Sequence, residues 1–215
     1  MLLPWELKRL TLGLRGSDWV PIVLTYAQSH WRVELSLDWN DCNTYDNYDR
    51  RAMIDVFWKA WEVRLNELCA DVVACPGALE LVERLSAVNI PMAIATSSRL
   101  DSVRKKMLKH ETMFQSIQVI VTGDDPNVAN GKPAPDIYLE AAKRLGAHPS
   151  ECLVFEDAIT GAQSGKSAGC YVVAVPDYRM EKDPFLSVSD EILDSMWQFS
   201  GERWGIPFNM KEARR

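Results

Sequence analysis

Residues 152–175 read CLVFEDAITGAQSGKSAGCYVVAV, the segment with the clearest structural pattern in the chain. It begins and ends with short apolar runs, 152–155 and 171–175, of the kind that form buried strands. The segment 159–168 between them is long enough for a helix. Two strands joined through a helix form a right-handed crossover unit, so the stretch predicts an α/β protein with a parallel sheet.

The same alternation of helices and short apolar strands extends upstream to residue 76. It predicts strands at 92–96 and 117–122, and helices at 77–87, 100–109 and 136–145. In a parallel sheet covered by helices, ligands bind at the carboxyl ends of the strands. The residues that directly follow each strand are therefore the candidate site.

The first 75 residues have a different pattern. They are rich in Trp and show helical periodicity, most clearly over 46–69, where apolar residues recur at intervals of three and four: Met53, Phe57, Trp61, Leu65 and Leu68. Ser17 is the predicted N-cap of an earlier helix. We therefore predict a helical cap domain over 1–75 and an α/β core domain over 76–215.

Charge and cysteine content exclude several classes of protein. The net charge is −6 with no basic stripe, which argues against a nucleic-acid partner. The five cysteines are odd in number and never form a CxxC pair, so we expect a reducing compartment and a cytoplasmic protein. No apolar run is long enough to span a bilayer, so no membrane association is expected.

Three hydroxyls follow the strand at 92–96. Thr96, Ser97 and Ser98 could donate hydrogen bonds to a phosphate oxygen, together with the adjacent backbone amides. The alternative is that they cap the helix predicted at 100–109.

A lysine and two acids complete the set of candidate site residues. Lys132 lies between Gly131 and Pro133, and fixed backbone around a lysine can aim its ammonium; an ordinary surface turn is the alternative. Glu156 and Asp157 directly follow an apolar strand, and adjacent carboxylates there suit Mg²⁺. Simple helix capping by Asp157 is the competing interpretation.

Taken in order, these phrases resemble three motifs of the haloacid dehalogenase-like superfamily. The matching segments are IATSS at 94–98, GKPAPDIY at 131–138 and VFEDAITGAQSGKSAG at 154–169. The tail, with VVAVPD at 172–177, is similar to the pseudouridine-5'-phosphatase branch of that superfamily. The resemblance is specific in the second half of the chain and loose in the first.

The resemblance implies a Mg²⁺-dependent phosphatase that acts on a small phosphorylated metabolite. In this family an aspartate attacks phosphorus and a second aspartate serves as general acid and base. By the same resemblance Thr96 would bind the transferring phosphoryl, Lys132 would neutralise charge, and Glu156 and Asp157 would hold the metal. Arg15, in the cap, would contact substrate, although a solvated arginine is the simpler interpretation. The resemblance favours a nucleotide such as pseudouridine 5'-phosphate, with sugar phosphates next. It leaves the oligomeric state open.

One motif of the family is missing from these 215 residues. No two aspartates are separated by a single residue, so the DxDG segment that supplies the nucleophile is absent. The fold expected is thus a haloacid dehalogenase-like parallel sheet without its central first strand. We predict that the strands at 92–96 and 152–155 are either separated or paired directly. A gap of two strand spacings would be roughly 9.6 Å.

Three alternatives to an active phosphatase stay open at the level of the sequence. The chain could be a non-catalytic relative that binds a phosphorylated ligand or a protein partner. It could be a truncated form of an active phosphatase. The segment 161–167, GAQSGKS, also approaches a nucleotide-binding loop, but it is one residue short and is expected inside a helix.

Overall fold

The computed structural model describes residue 7, residues 11–31, residues 59 and 63, and residues 72–211. The helices are α1 (Gly16–Trp31), α2 (Ala78–Ala87), α3 (Leu100–Met107), α4 (Glu111–Gln115), α5 (Asp136–Leu145) and α6 (Ile159–Ser167). The strands are β1 (Ala93–Ala95), β2 (Val119–Val121), β3 (Leu153–Glu156), β4 (Tyr171–Ala174) and β5 (Glu191–Ile192). Short 3₁₀ turns lie at Pro149–Glu151, Asp183–Phe185, Met196–Gln198 and Gly201–Trp204.

The strands form two parallel sheets in the described part of the chain. One contains β1 and β2, and the other has the order β3-β4-β5. In the larger sheet Leu153 lies opposite Tyr171, and Val173 lies opposite Glu191. The α/β class with parallel strands is confirmed, and the strand–helix–strand unit of 152–175 forms as predicted.

Helices and loops cover both faces of the larger sheet. Val172 and Ala174 of β4 point into a core shared with α5 and α6, while Val173 points into a second core shared with α2 and Phe199. All four of these residues are fully buried. Alternate residues of one strand thus enter opposite cores, as the two-residue period of a strand requires.

Strands β1 and β3 are not paired with each other, and they belong to different sheets. Within the described residues no strand pairs with the second edge of either one. The separated arrangement is therefore the one observed in this part of the chain, and the direct pairing that the sequence also allowed does not occur.

Several local predictions need correction. Helix α1 begins at Gly16, and the Arg15 carbonyl accepts the backbone N–H groups of Asp18 and Trp19, so Ser17 lies inside the helix and is not its N-cap. The short elements α4 and β5 carry too little periodicity to be read from the sequence. The helix predicted at 46–69 lies outside the described residues, apart from helical Lys59 and Val63.

None of the helices in the described residues is both long enough and apolar enough to cross a membrane.

Candidate active site

Lys132 connects the two sheets at their carboxyl ends. Its ammonium nitrogen donates to the carbonyl of Ala95, the last residue of β1, at 3.2 Å. The same nitrogen forms an ion pair with Oε1 of Glu156, the last residue of β3. Only 7% of Lys132 is exposed, so it is not part of a solvated surface turn. These two contacts hold the Lys132 ammonium in one position at the carboxyl ends of the strands.

Glu156 is buried, and both of its carboxylate oxygens have polar neighbours. Oε1 accepts hydrogen bonds from Lys132 and from the Tyr138 hydroxyl, and Oε2 lies 3.5 Å from the backbone nitrogen of Ala158. Burial, followed by the negative charge of Glu156, holds the pKa of Tyr138 well above its ordinary value, so the phenol stays protonated and donates. The carboxylate is thereby fixed in one orientation.

Gly161 makes room for this carboxylate. A Cβ built on Gly161 would overlap the carboxyl carbon and both oxygens of Glu156. Every other residue would therefore displace Glu156 or shift the first turn of α6. Position 161 is constrained by close approach and not by a turn, because its φ is not left-handed.

Asp157 is the acid that faces outward. The residue is exposed, yet the surrounding protein and the neighbouring Glu156 charge raise its pKa, with Asp177 adding to the effect and Lys132 opposing it. Helix α6 is preceded by Ala158 and has no side-chain cap, so Asp157 does not serve as a capping residue. Negative charge thus accumulates at the end of β3.

Cys75 and Asp177 lie near the same acid. Cys75 is exposed, but nearby protein partly desolvates its thiol and raises the thiol pKa, and the carboxylates of Asp157 and Asp177 raise it further. Asp177 itself accepts three hydrogen bonds from Arg179, one from the backbone nitrogen and two from the guanidinium. Sequence reasoning did not single out either residue, since neither belongs to the motifs at the ends of β1 and β3.

The three hydroxyls after β1 have separate partners. The Thr96 hydroxyl accepts from the backbone nitrogen of Ser98 at 3.1 Å, and Ser97 donates to the carbonyl of Gly13 at 2.8 Å. Ser98 accepts from Lys106 at 3.4 Å. Helix α3 is preceded by Arg99 and has no side-chain cap from its own N-cap residue, so these hydroxyls do not serve the capping role that the sequence left open.

The segment 11–15 lies against both sheet ends. The Leu12 carbonyl accepts from the Thr160 hydroxyl at 3.3 Å, next to the Gly13 contact with Ser97. Gly13 has a φ of +81°, and a Cβ there would meet Thr160 and Ala158. A residue other than glycine would therefore be both strained and too large at this position.

Arg15 contacts protein backbone. Its two terminal nitrogens donate to the carbonyls of Val128 at 2.9 Å and Ala129 at 3.1 Å. Both acceptors lie in the loop that leads to Lys132. The Arg15 guanidinium is therefore bound to protein backbone, and it is not free in solvent.

The predicted site residues fall into an inner and an outer group. Lys132, Glu156 and the carbonyl end of β1 are in direct contact, while Asp157 lies beside Glu156 on the outer side. Tyr138 and Gly161, which contact Glu156, and Thr160, which contacts Leu12, were not predicted as site residues, although all three lie inside the quoted motifs. Within the described chain, no three or more His, Cys, Asp or Glu side chains are grouped so as to hold a metal ion.

A profile of the haloacid dehalogenase-like hydrolases matches residues 29–175 of this chain. The match spans well over half of the 215 residues. The chain belongs to this family.

Relatives within the haloacid dehalogenase-like family include several phosphatases. The chain is 34% identical over 207 residues to a probable pseudouridine-5'-phosphatase of Drosophila melanogaster, covering 95% of this chain and 80% of that protein. It is 35% identical over 162 residues to a bifunctional riboflavin kinase/FMN phosphatase of Arabidopsis thaliana. That match covers 75% of this chain and only 42% of the plant protein.

A solved structure of the same fold supports the architecture. The β-phosphoglucomutase of Clostridium difficile superposes with a TM-score of 0.71 at 18% identity, covering 99% of this chain and 85% of that one. At this identity the likeness concerns the fold alone. The family assignment, its pseudouridine-5'-phosphatase-like character and the α/β fold inferred from the sequence are confirmed together.

Proposed function

We propose that this protein binds the phosphoryl group of a small phosphomonoester at the carboxyl ends of β1 and β3, as a phosphatase-type member of its family. The observation that carries the proposal is the buried Lys132 ammonium, held between Ala95 and Glu156 where the two sheets meet. A cation fixed in a site of low dielectric is the group needed to stabilise charge on a phosphoryl. The relatives' names point to pseudouridine 5'-phosphate and FMN as the first ligands to test.

The residue roles follow from the contacts. Lys132 supplies positive charge, and the Thr96 hydroxyl, with the backbone amide of Ser97, supplies hydrogen-bond donors to phosphoryl oxygens. The backbone amide of Ser98 donates to Thr96 and orients its hydroxyl. Asp157 is the outward-facing carboxylate. Partial desolvation, followed by the negative charge of Glu156, raises its pKa, and a bound cation would favour its ionised form.

Mg²⁺ fits this site only partly. Glu156 is already occupied by Lys132 and Tyr138, which leaves Asp157 as the principal carboxylate for the metal among the predicted ligands. When bound, Mg²⁺ would supply neutralisation of phosphoryl charge. With so few protein ligands we expect weak binding unless a phosphate is also present.

We further propose that polypeptide 1–215 by itself binds phosphate esters without hydrolysing them. The family's reaction forms a bond between an aspartate oxygen and phosphorus while the alcohol leaves, and water then cleaves the acyl phosphate. The 215 residues contain no aspartate pair with the required spacing. The remaining groups should not rescue turnover, because groups that act as a unit fail together.

The binding proposal is tested by titrating the chain with inorganic phosphate and pseudouridine 5'-phosphate, with and without Mg²⁺, by calorimetry. FMN is titrated in parallel by its fluorescence. Replacing Lys132 with Met should weaken binding by about tenfold or more, as loss of one charge-assisted hydrogen bond predicts. The control is Lys143→Met, because the Lys143 side chain is 79% exposed and lies outside the site. Equal affinity of Lys132→Met and the parent would contradict the proposal.

Turnover is tested separately by measuring phosphate release from the same esters. We expect no release above the level of an Asp157→Ala control. Release that depends on Mg²⁺ and on Asp157 would show that the chain carries a nucleophile of another kind.

One observation also favours a second candidate, a non-catalytic relative that binds a protein partner or a phosphorylated ligand. The Lys132 charge is already balanced by Glu156, so the site is stable without a bound anion. If phosphate and all the esters fail to bind while the chain is folded, this candidate is preferred. The cap domain over 1–75 and a cytoplasmic location stay predictions from the sequence.

A further inference from the structure

The loop over residues 128–131 is held by a residue from outside the α/β core. Arg15 donates to two successive carbonyls, those of Val128 and Ala129, with distances of 2.9 and 3.1 Å. The sequence separation exceeds 110 residues. Two parallel hydrogen bonds from one planar guanidinium fix both the position and the orientation of the peptide groups that accept them.

Gly131 continues the same contact. A Cβ on Gly131 would lie 2.8 Å from Cδ and 2.9 Å from Nε of Arg15. Its three nearest neighbours would all belong to the arginine side chain. The absence of a side chain at position 131 is therefore what lets the arginine lie flat against the loop.

Charge also links Arg15 to the start of α5. The backbone N–H of Asn130 chiefly lowers the pKa of Asp136, and the positive charge of Arg15 adds to the effect. Asn130 donates to Asp136 through its backbone nitrogen at 2.9 Å and its side chain at 3.1 Å. The loop is thus fixed by Arg15 on one side and by Asp136 on the other, immediately before Lys132.

We propose that Arg15 is a positioning residue: by holding the carbonyls of Val128 and Ala129, it holds the Lys132 ammonium at the junction of the two sheets. This replaces the substrate contact expected from the sequence, because both terminal nitrogens are committed to backbone acceptors. The inference rests on the proposed phosphate site for its functional consequence, while its structural part stands on the contacts alone. Ligand binding at Lys132 and docking of the 11–15 segment are therefore coupled, each favouring the other.

The test is a double-variant cycle on Arg15 and Gly131. Four proteins are compared with the parent chain 1–215: Arg15→Ala, Arg15→Lys, Gly131→Ala and the double variant Arg15→Ala/Gly131→Ala. Arg104→Ala is the control, because Arg104 is an exposed arginine on α3 whose ion pair with Asp101 is 3.8 Å long. Urea unfolding of each protein identifies any general loss of stability, and Gly131→Ala serves if Arg15→Ala does not fold.

Two measurements do not depend on a phosphate ligand. The first is amide hydrogen exchange over 128–134, and the second is the NMR signal of the Lys132 side-chain ammonium. Arg15→Ala, Arg15→Lys and Gly131→Ala should each speed exchange by about tenfold and broaden the ammonium signal, since the first two remove the guanidinium and the third displaces it from its two carbonyl acceptors. The double variant should change no more than the Arg15→Ala single variant, because the added methyl meets only the arginine.

The third measurement is the affinity for inorganic phosphate, expected to fall by about fivefold to tenfold in the same three single variants. Arg15→Lys separates the two roles, because lysine keeps the charge but cannot hold two carbonyls in the same geometry. Full affinity in Arg15→Lys together with full affinity in Gly131→Ala would overturn the inference in favour of a direct charge contact. Unchanged exchange and an unchanged ammonium signal in Arg15→Ala would overturn it as well.

If the parent binds no phosphate, the proposed function fails, and the exchange and ammonium measurements still decide whether Arg15 positions Lys132.

Discussion

The two-stranded sheet and the three-stranded sheet are built from the same alternation of strand and helix, but they are buried to different degrees. All three residues of β1 remain partly exposed, whereas Val172, Val173 and Ala174 of β4 are fully buried. Strand β4 has a hydrogen-bonded neighbour on each side, and β1 has one neighbour among the described residues. The smaller sheet shares its main core with the larger one through the fully buried Val121 of β2, and Lys132 adds a polar connection at the carboxyl ends. Strand β4, by contrast, packs on both faces, so the larger sheet contributes to two cores.

The largest contrast is expected from truncating one apolar side chain that packs against the larger sheet and one in β1 of the smaller sheet. Phe199 is fully buried and contacts the rings of Phe155 and Phe208 at centroid distances of 5.0 and 6.3 Å. Phe199→Ala should lower the free energy of unfolding by about 3–5 kcal/mol, because it leaves a cavity. Ile94→Ala in β1 should cost only about 1–2 kcal/mol, since that side chain is already partly exposed. Urea denaturation measures the free energy of unfolding of both variants. Equal losses in the two would contradict the difference in burial between the sheets.

The second test breaks the polar connection between the sheets. Lys132→Met leaves the Glu156 carboxylate buried without its ammonium, and we expect a loss of about 3 kcal/mol in unfolding free energy. Adding Glu156→Gln should recover part of that loss, because the unpaired charge is gone. Thermal and urea unfolding of the two single variants and the double variant give the coupling. A double variant as unstable as the sum of the singles would show that the pair contributes nothing.

The third test concerns a carboxylate that belongs to the larger sheet alone. Asp190 accepts from the Val172 backbone nitrogen at 2.7 Å and pairs with Lys166. Burial works against ionisation of Asp190, but the hydrogen bonds from Lys166 and Val172 outweigh it and lower the Asp190 pKa. The stabilisation is therefore present above the unfolded-state pKa of about 3.9 and is lost as the pH falls through the folded-state value.

Asp190→Asn should cost about 1 kcal/mol at neutral pH, a value kept small by solvent screening of a partly exposed pair. The cost should vanish in acid, because the parent then carries a protonated Asp190 too. Unfolding curves between pH 2 and pH 7 check this. A difference that stays constant across that range would contradict the assigned role of the charge.

The smallest expected effect has the opposite sign. Although Asp157 is exposed, partial desolvation by the surrounding protein, followed by the charge of Glu156, raises its pKa, so the ionised form opposes folding. The native state loses stability as the pH rises from the unfolded-state pKa through the higher folded-state value. Because Asp157 is exposed and solvent screens its charge, Asp157→Asn should stabilise the chain by less than about 0.5 kcal/mol at pH 7 and have no effect near pH 3. A thermal melt in metal-free buffer at both pH values measures it; destabilisation at pH 7 would contradict the charge argument.

The larger sheet was more predictable than the site. Apolar runs of four and five residues gave β3 and β4 nearly at their observed bounds, and the residues after the strands became site candidates because parallel strands end at one edge. The partners of Glu156 could not be found in this way, because the Tyr138 hydroxyl and the Lys132 ammonium reach it from 18 and 24 residues away. Such distant contacts leave no periodic signal in one sequence.

The contacts of Arg15 show the same limit more strongly. The sequence shows that residue 15 carries a positive charge, and the family resemblance predicted a substrate contact for it. In the structure its hydrogen-bond acceptors are backbone carbonyls, which every residue possesses, so the sequence could not indicate them. Nothing in residues 128–131 except the glycine indicates that a guanidinium lies there. Short elements such as β5, with two residues, escape for a simpler reason, since two residues define no period.

The reactivity of the Cys75 thiol depends on the charges at the end of β3. The carboxylates of Asp157 and Asp177 help to keep it protonated, and a protonated thiol is slow to react with iodoacetamide. A divalent cation held at Asp157 would offset that negative potential and increase the thiolate fraction. The alkylation rate of this one cysteine, followed by mass spectrometry, thus measures the electrostatic potential at the end of β3 without any substituted residue.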